Sequence, residues 1–217
     1  MAFQKLQFKR LLEKEMLSRS KSFYYNIKSR RSVRDFSDKP FSVDLIINAI
    51  KVASRAPSGA NKQPWHFVII HDSLVKKQIR NAAEREEKKF YDYRASKEWL
   101  KDLEQFETDW RKPFLEKAPY LIVVFKKQYD FNKKKRKKNY YVNESVGIAV
   151  GFLLTALHNS GLATLTHTPA PMGFLETILK RPKNEKAFLL IPVGYPANNA
   201  QVPTITKKSF KKVCDII

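Results

Sequence analysis

Three stretches of this 217-residue chain carry residue types whose spacing suits chemistry. Arg30-Arg31-Ser32-Val33-Arg34 sets three guanidiniums and a hydroxyl within five residues, a donor set that can grip a phosphate by forked, charge-assisted hydrogen bonds. Taken alone it also reads as a basic patch in a basic chain. Ala56-Pro57-Ser58-Gly59-Ala60-Asn61-Lys62-Gln63-Pro64-Trp65-His66 places small residues between two prolines, which leaves backbone N–H groups open to a flat ligand. Thr166-His167-Thr168-Pro169 is a turn rich in hydroxyls. A phosphate clamp, a wall of open backbone and a hydroxyl donor are together the parts of a flavin site, where a donor near N5 tunes the favoured redox state.

Other chemistries lack their residues. The four histidines, His66, His71, His158 and His167, have no metal-ligand spacing, so no metal is expected. No GxGxxG, P-loop or GxSxG occurs. The net charge of +21, from 42 Lys+Arg against 21 Asp+Glu, raises nucleic acid or an anionic surface as partners. Much of that excess sits in the run Lys133 to Lys138, which reads as a solvated loop, and no nucleic-acid-reading motif accompanies it. The single cysteine, Cys214, suits a reducing compartment. No uninterrupted apolar region follows the charged N-terminus, and the longest apolar run, Val146 to Leu157, is too short to span a bilayer. The expectation is a cytoplasmic protein with no membrane attachment.

The elements that must position these stretches follow from periodicity. Residues 3–29 read as helix in two pieces broken near Ser18 to Ser22. Ser42 suits an N-cap for a helix carrying Val43, Ile46, Ile47, Ile50 and Ala53 on one face, stopping near Pro57. HFVIIH (66–71), YLIVVF (120–125), Leu162–Thr166 and AFLLIPV (187–193) read as buried strands. Asp72 or Ser73 caps a long polar helix, Tyr140–Ser160 is an apolar helix stopped by Gly161, and Phe174–Lys180 is a short one. Lys88–Pro113 is charged and aromatic without an apolar stripe, the composition of a lid. The fold class is α+β, an α/β sandwich with a central mixed or antiparallel sheet flanked by helices. It forms one domain over 1–217, with a helical extension at 1–21, a lid at about 88–113 and an arm at 197–217.

With Val193-Gly194-Tyr195-Pro196, the three stretches resemble the nitroreductase superfamily of FMN enzymes. Glu87 with Tyr91, then Trp110, Lys112, Ala118-Pro119, Tyr140-Tyr141 and Asn143-Glu144 resemble its iodotyrosine deiodinase branch. The similarity runs from about Ser22 to the C-terminus. It implies the nitroreductase-like fold and a homodimer in which a C-terminal arm embraces the partner and both chains build each site. It implies FMN as cofactor, with Arg30, Arg31, Ser32 and Arg34 on its phosphate and ribityl side. Pro57, Ser58 and Gly59 would pack on the flavin, and Thr166, His167 and Thr168 would form the flavin-contacting turn. The catalytic roles fall to Thr168, as the hydroxyl near N5, and to Ala60, whose amide would face the substrate phenolate. Glu87, Tyr91 and Lys112 would hold the amino-acid end of a halotyrosine. Lys207 stands where an arginine is expected for the phosphate and loses the fork. At position 167 threonine is also common.

The residues fit that implication chemically. Glu87 can accept from an ammonium, while Lys112 and Tyr91 can donate to a carboxylate. Glu87 and Tyr91, four apart, share a helix face. On residues alone, Glu87 belongs to an acidic patch with Glu84 and Glu86 and pairs with nearby lysines. The resemblance reverses that reading. The implied reaction is reductive removal of halide from a halotyrosine by stepwise electron transfer, with electrons from NAD(P)H directly or through a reductase. The alternative is a broader nitroreductase or quinone reductase using hydride transfer.

Overall fold

The structure, a computed structural model, describes residues 2–132 and 135–217. The chain divides into two compact units, Met1–Arg30 and Arg31–Ile217.

In the first unit, α1 (Glu13–Lys28) is one continuous helix and residues 2–12 carry no regular structure. The break expected at Ser18–Ser22 is absent. Serines tolerate an exposed helix interior when the hydroxyl bonds back to the preceding turn, as Ser20 Oγ does to the Leu17 carbonyl at 3.0 Å. Arg30 closes this unit, its N–H donating to Ile27 O.

The second unit is built on a four-stranded antiparallel sheet in the order β1 (Trp65–Ile70), β2 (Tyr120–Lys127), β6 (Glu185–Gly194), β5 (Ala163–Thr164). β2 and β6 are central and read as near-continuous apolar runs because both faces are covered. Side chains alternate across β2: Ile122 and Val124 join one core with α2 (Asp44–Ala53) and α6 (Val142–Asn159). Leu121, Val123 and Phe125 join the other with α3 (Ser73–Lys89), α5 (Phe114–Lys117) and α7 (Gly173–Ile178). Fully buried side chains such as Ile79, Phe125 and Leu153 each contribute about 1.5–3 kcal/mol of transfer free energy.

Local signals set the boundaries. Asp72 caps α3 by accepting from Val75 N at 2.8 Å, and Gly161 ends α6 with φ of 79°. Ser42 Oγ accepts from Asp44 N at the start of α2. The lysine-rich run departs from the expected loop: β3 (Tyr129–Asn132) and β4 (Lys135–Lys138) pair as an antiparallel hairpin, with β4 fully exposed. Full exposure to solvent tolerates the charge, and Arg136 stacks 4.9 Å over Tyr129. Lys133 and Lys134, part of the same expectation, lie outside the described residues. Among the described residues no helix is long and apolar enough to cross a membrane.

Two features of this framework aim the functional residues. Ser32 bridges to Thr164 in parallel, and Val33 N donates to Thr164 O at 3.1 Å. The arginine stretch from Arg31 onward therefore runs along β5, beside the threonine turn. On the other side, buried Lys76 of α3 donates to Glu116 O and Ala118 O at 2.9 and 2.8 Å. This locks α3 to the end of α5, and about three turns further along α3 Glu87 faces Lys112, just before α5.

Candidate active site

A cavity of about 670 Å³ opens between α3, the threonine turn and the segment leading to α5. Arg34, Thr166, Thr168, Glu87, Tyr91 and Lys112 all line it. α3 ends at Lys89 and passes into a single π turn, Phe90–Arg94. Phe90 packs edge-on against both Tyr91 and Trp99 of α4 (Lys97–Glu104). The segment 88–113 thus roofs the cavity with Phe90, Trp99 and Leu103, although α4 buries none of its residues.

The three acidic residues of the patch play different parts. Glu84 Oε1 accepts from Arg80 Nε and from Lys112 N, each at 2.7 Å. Glu86 pairs with Lys89 and Arg94. Glu87 alone among them lines the cavity, with Oε2 3.1 Å from Lys112 Nζ. Lys112 is 3% exposed; its Nζ also donates to Thr108 Oγ1 at 3.3 Å and to Asp109 O, and it sits 5.4 Å over the Tyr91 ring. Burial raises the Glu87 carboxyl above its ordinary value, against the pull of Lys112. Burial likewise lowers Lys112, against Glu87, and raises the Tyr91 phenol, against a hydrogen bond with Thr108. Arg34, whose guanidinium stacks 5.6 Å over Phe106, is lowered by burial.

Burial alternates along the turn. Thr166 and Thr168 are exposed, and His167 between them is buried, so the histidine side chain leaves the threonine face. His167 Nε2 lies 3.9 Å from Glu87 Oε1, and its ring meets Phe114 edge-on at 5.5 Å. A sequence reading that grouped His167 with its neighbours missed this. The extended Thr-His-Thr alternation, with its period of two, was the signal that separates them. Thr108 and Phe114 were also missed, because nothing local in the sequence marks them.

The remaining residues of the sequence reading lie elsewhere. Arg31 donates through NH2 to Pro203 O, which brings the tail that carries Lys207 against the arginine stretch. Lys207 itself is exposed. Pro57, Ser58, Gly59 and Ala60 do not line the cavity; Gly59 packs at the start of α6. There Gly59 N donates to Ser145 Oγ at 3.3 Å. A Cβ on Gly59 would stand 2.8 Å from Tyr141 Cδ2 and 3.0 Å from Tyr140 O, so only glycine fits. Ala60 holds φ 49°, ψ 32°, and Asn61 and Gln63 are also left-handed, a strained backbone of the kind that marks ligand-facing loops.

The donor chemistry fits FMN: guanidiniums from Arg31 and Arg34 and the Ser32 hydroxyl suit a phosphate and ribityl chain, and the exposed Thr166 and Thr168 hydroxyls suit a flavin edge. Among the described residues no group of three or more His, Cys, Asp or Glu could hold a metal ion.

Comparison with known proteins places the chain in a family. A family model described as the nitroreductase family matches residues 27–195. The chain is 57% identical over 195 residues to iodotyrosine deiodinase of Haliscomenobacter hydrossis, covering 89% of this chain and 88% of that protein. It is 44% identical over 203 residues to iodotyrosine deiodinase 1 of Homo sapiens, covering 93% and 70%. It superposes with a TM-score of 0.76 and 35% identity on a crystal structure of oxidized iodotyrosine deiodinase bound to FMN and 3-iodo-L-tyrosine, covering 89% of this chain and all of that one.

Proposed function

The chain belongs to the nitroreductase family, in its iodotyrosine deiodinase branch, and from that membership we propose that it removes halide reductively from halogenated tyrosine with FMN as cofactor. The observation that carries the substrate is the Glu87–Lys112 ion pair with Tyr91, in the same cavity as Arg34 and the two threonines. A zwitterion complements it. Glu87 accepts from the substrate ammonium, and Lys112 and Tyr91 donate to its carboxylate. A general nitroarene or quinone reductase has no use for such a set.

FMN, when bound, supplies the two electrons that, with one proton, replace carbon–halogen by carbon–hydrogen and release halide. Arg30, Arg31, Ser32 and Arg34, with Lys207 from the tail, hold its phosphate and ribityl chain. Thr168 presents its hydroxyl to the flavin edge, which favours stepwise electron transfer, and Thr166 supports it from the same face. The 88–113 segment acts as a lid: substrate binding to Glu87, Tyr91 and Lys112 ties its two ends together and excludes water.

The site is completed by a second copy of the chain. Pro57, Ser58, Gly59 and the Ala60 amide form the other wall, donated across a homodimer interface, with Ala60 N–H set against the phenolate. Support comes from the apolar face of α6 next to that loop. Ile148 and Phe152 are 43% and 39% exposed, and Gly147 and Gly151 face open space, a face that suits close helix approach. The 197–217 arm embraces the partner. The single cysteine, Cys214, exposed and without a disulfide, suits a cytoplasmic setting in which NAD(P)H, directly or through a reductase, provides the electrons.

Titration of the FMN-loaded protein with 3-iodo-L-tyrosine tests the substrate. Quenching of flavin fluorescence is expected, with tyrosine binding more weakly. An unchanged spectrum at high ligand concentration contradicts the reading.

A further inference from the structure

His167 is mounted rigidly and left incomplete. Its backbone exchanges hydrogen bonds with Leu190 on β6, N to O at 2.9 Å and O to N at 3.0 Å. Its ring is held edge-on by Phe114. It is 9% exposed, it lines the cavity, and Nε2 is buried without a hydrogen-bond partner. Glu87 Oε1 lies 3.9 Å away, beyond hydrogen-bond reach by roughly 1 Å. A buried polar atom without a partner is destabilising and calls for an explanation.

The pairing of Glu87 with Lys112 supplies one. Glu87 now spends its charge on Lys112 through Oε2. A zwitterionic substrate brings its own carboxylate for Lys112, and that exchange leaves Glu87 buried with fewer donors. One oxygen is then filled by the substrate ammonium. The other, Oε1, faces His167 Nε2. The unfilled donor and the freed acceptor match, so the contact missing without substrate forms with it. His167 stays neutral throughout: burial, then Lys112 and Arg34, push it down to about 3. A neutral imidazole carrying its hydrogen on Nε2 donates without adding charge. A threonine hydroxyl at this position would be too short to span the gap.

We propose that His167 is a positioning residue for the amino-acid end of the substrate, its Nε2–H holding Glu87 Oε1 once Lys112 has turned to the substrate carboxylate. This deepens, and rests on, the halotyrosine reading above. His167 acts through Glu87, with its side chain off the face of Thr166 and Thr168, so the loss is expected for ligands with an ammonium group.

The test compares FMN-loaded wild type with His167→Leu and His167→Thr, which remove the donor, and His167→Gln, which restores one at similar reach. Each is titrated with 3-iodo-L-tyrosine and with ortho-iodophenol, which has the halogenated ring without the amino-acid end, and each is repeated in a Glu87→Gln background. The expected result is about tenfold or greater loss of halotyrosine affinity in the Leu and Thr variants, unchanged iodophenol affinity, partial recovery with Gln, and a smaller effect with Glu87→Gln, whose amide oxygen accepts less strongly than a carboxylate. Equal loss for both ligands, no loss for either, or the same loss without the Glu87 charge overturns the proposal. Wild type that fails to bind 3-iodo-L-tyrosine overturns the substrate reading and this inference with it; wild type that binds it while His167→Thr binds it equally overturns this inference alone. Nitrogen-labelled histidine NMR of the unmutated holoenzyme gives an independent reading. The His167 Nε2–H resonance moves downfield and gains exchange protection with 3-iodo-L-tyrosine and not with iodophenol; identical responses to the two ligands contradict the proposal.

Discussion

Lys112 Nζ and Glu87 Oε2 lie 3.1 Å apart, an ion pair that joins the last turn of α3 to the segment entering α5 across both ends of the proposed lid. With both side chains largely buried, each depends on the other for compensation. The substrate has to take over both halves of the pair, and that exchange is where the proposed selectivity for an amino-acid zwitterion resides.

Breaking one half leaves a buried charge alone. Lys112→Met costs about 3 kcal/mol of stability in chemical denaturation, and the double variant with Glu87→Gln recovers most of that loss. Glu87→Gln alone keeps the yellow FMN complex and loses halotyrosine affinity by about tenfold or more. Additive losses in the double variant would show that the two residues do not act as a pair.

Halotyrosine binding needs Glu87 ionised and Lys112 protonated. Burial raises the first above the ordinary carboxylate value and lowers the second below the ordinary lysine value. Affinity therefore falls on the acidic side at a pH above the ordinary carboxylate value, and on the basic side below the ordinary lysine value. The acidic limb attributable to Glu87 is absent in Glu87→Gln; titrations of both proteins across the acid range check this.

His167 binds a proton near pH 3 when folded and near 6.5 when unfolded. Between those values the unfolded chain carries more protons. Its contribution is thus fully present above 6.5 and is lost as pH falls toward 3, at up to about 1.4 kcal/mol per pH unit. His167→Thr removes that component, so its melting temperature declines less steeply than wild type over this window. Parallel curves contradict the assignment.

The cofactor end is separable from the substrate end. Arg34→Ala lowers FMN content on purification without a matching loss of fold. Lys207→Arg, which restores a fork where lysine offers a point charge, tightens FMN by about a few-fold in an equilibrium titration of the apoprotein. Gly59→Ala, which forces a Cβ against Tyr141 and the Tyr140 carbonyl, costs about 1–3 kcal/mol and is read by thermal unfolding.

Much of the core was readable from the sequence because period does the work: YLIVVF at 120–125 and AFLLIPV at 187–193 are the two central strands, and of the helix face Val43, Ile46, Ile47, Ile50 and Ala53 the structure buries Ile46 and Ala53, with Ala49 added. The arginine stretch and the threonine turn were visible as motifs, but their adjacency depends on the parallel bridge from Ser32 to Thr164, a long-range pairing no local pattern specifies. The lysine run 135–138 became a strand because its partner Tyr129–Asn132 offers an edge, against its own low strand propensity. His167 was hidden by its neighbours: the hydroxyls on either side drew attention to one face of the turn, and only the fold shows Glu87 and Phe114 waiting on the other.

The central claim is reductive removal of halide from a halotyrosine, and its most direct measurement is product formation. FMN-loaded protein, reduced with dithionite and incubated with 3-iodo-L-tyrosine, is expected to release one iodide for each tyrosine formed, with release largely abolished in Glu87→Gln at the same substrate concentration. Reduced, FMN-loaded protein that yields neither tyrosine nor iodide above the rate of dithionite with free FMN would contradict the account.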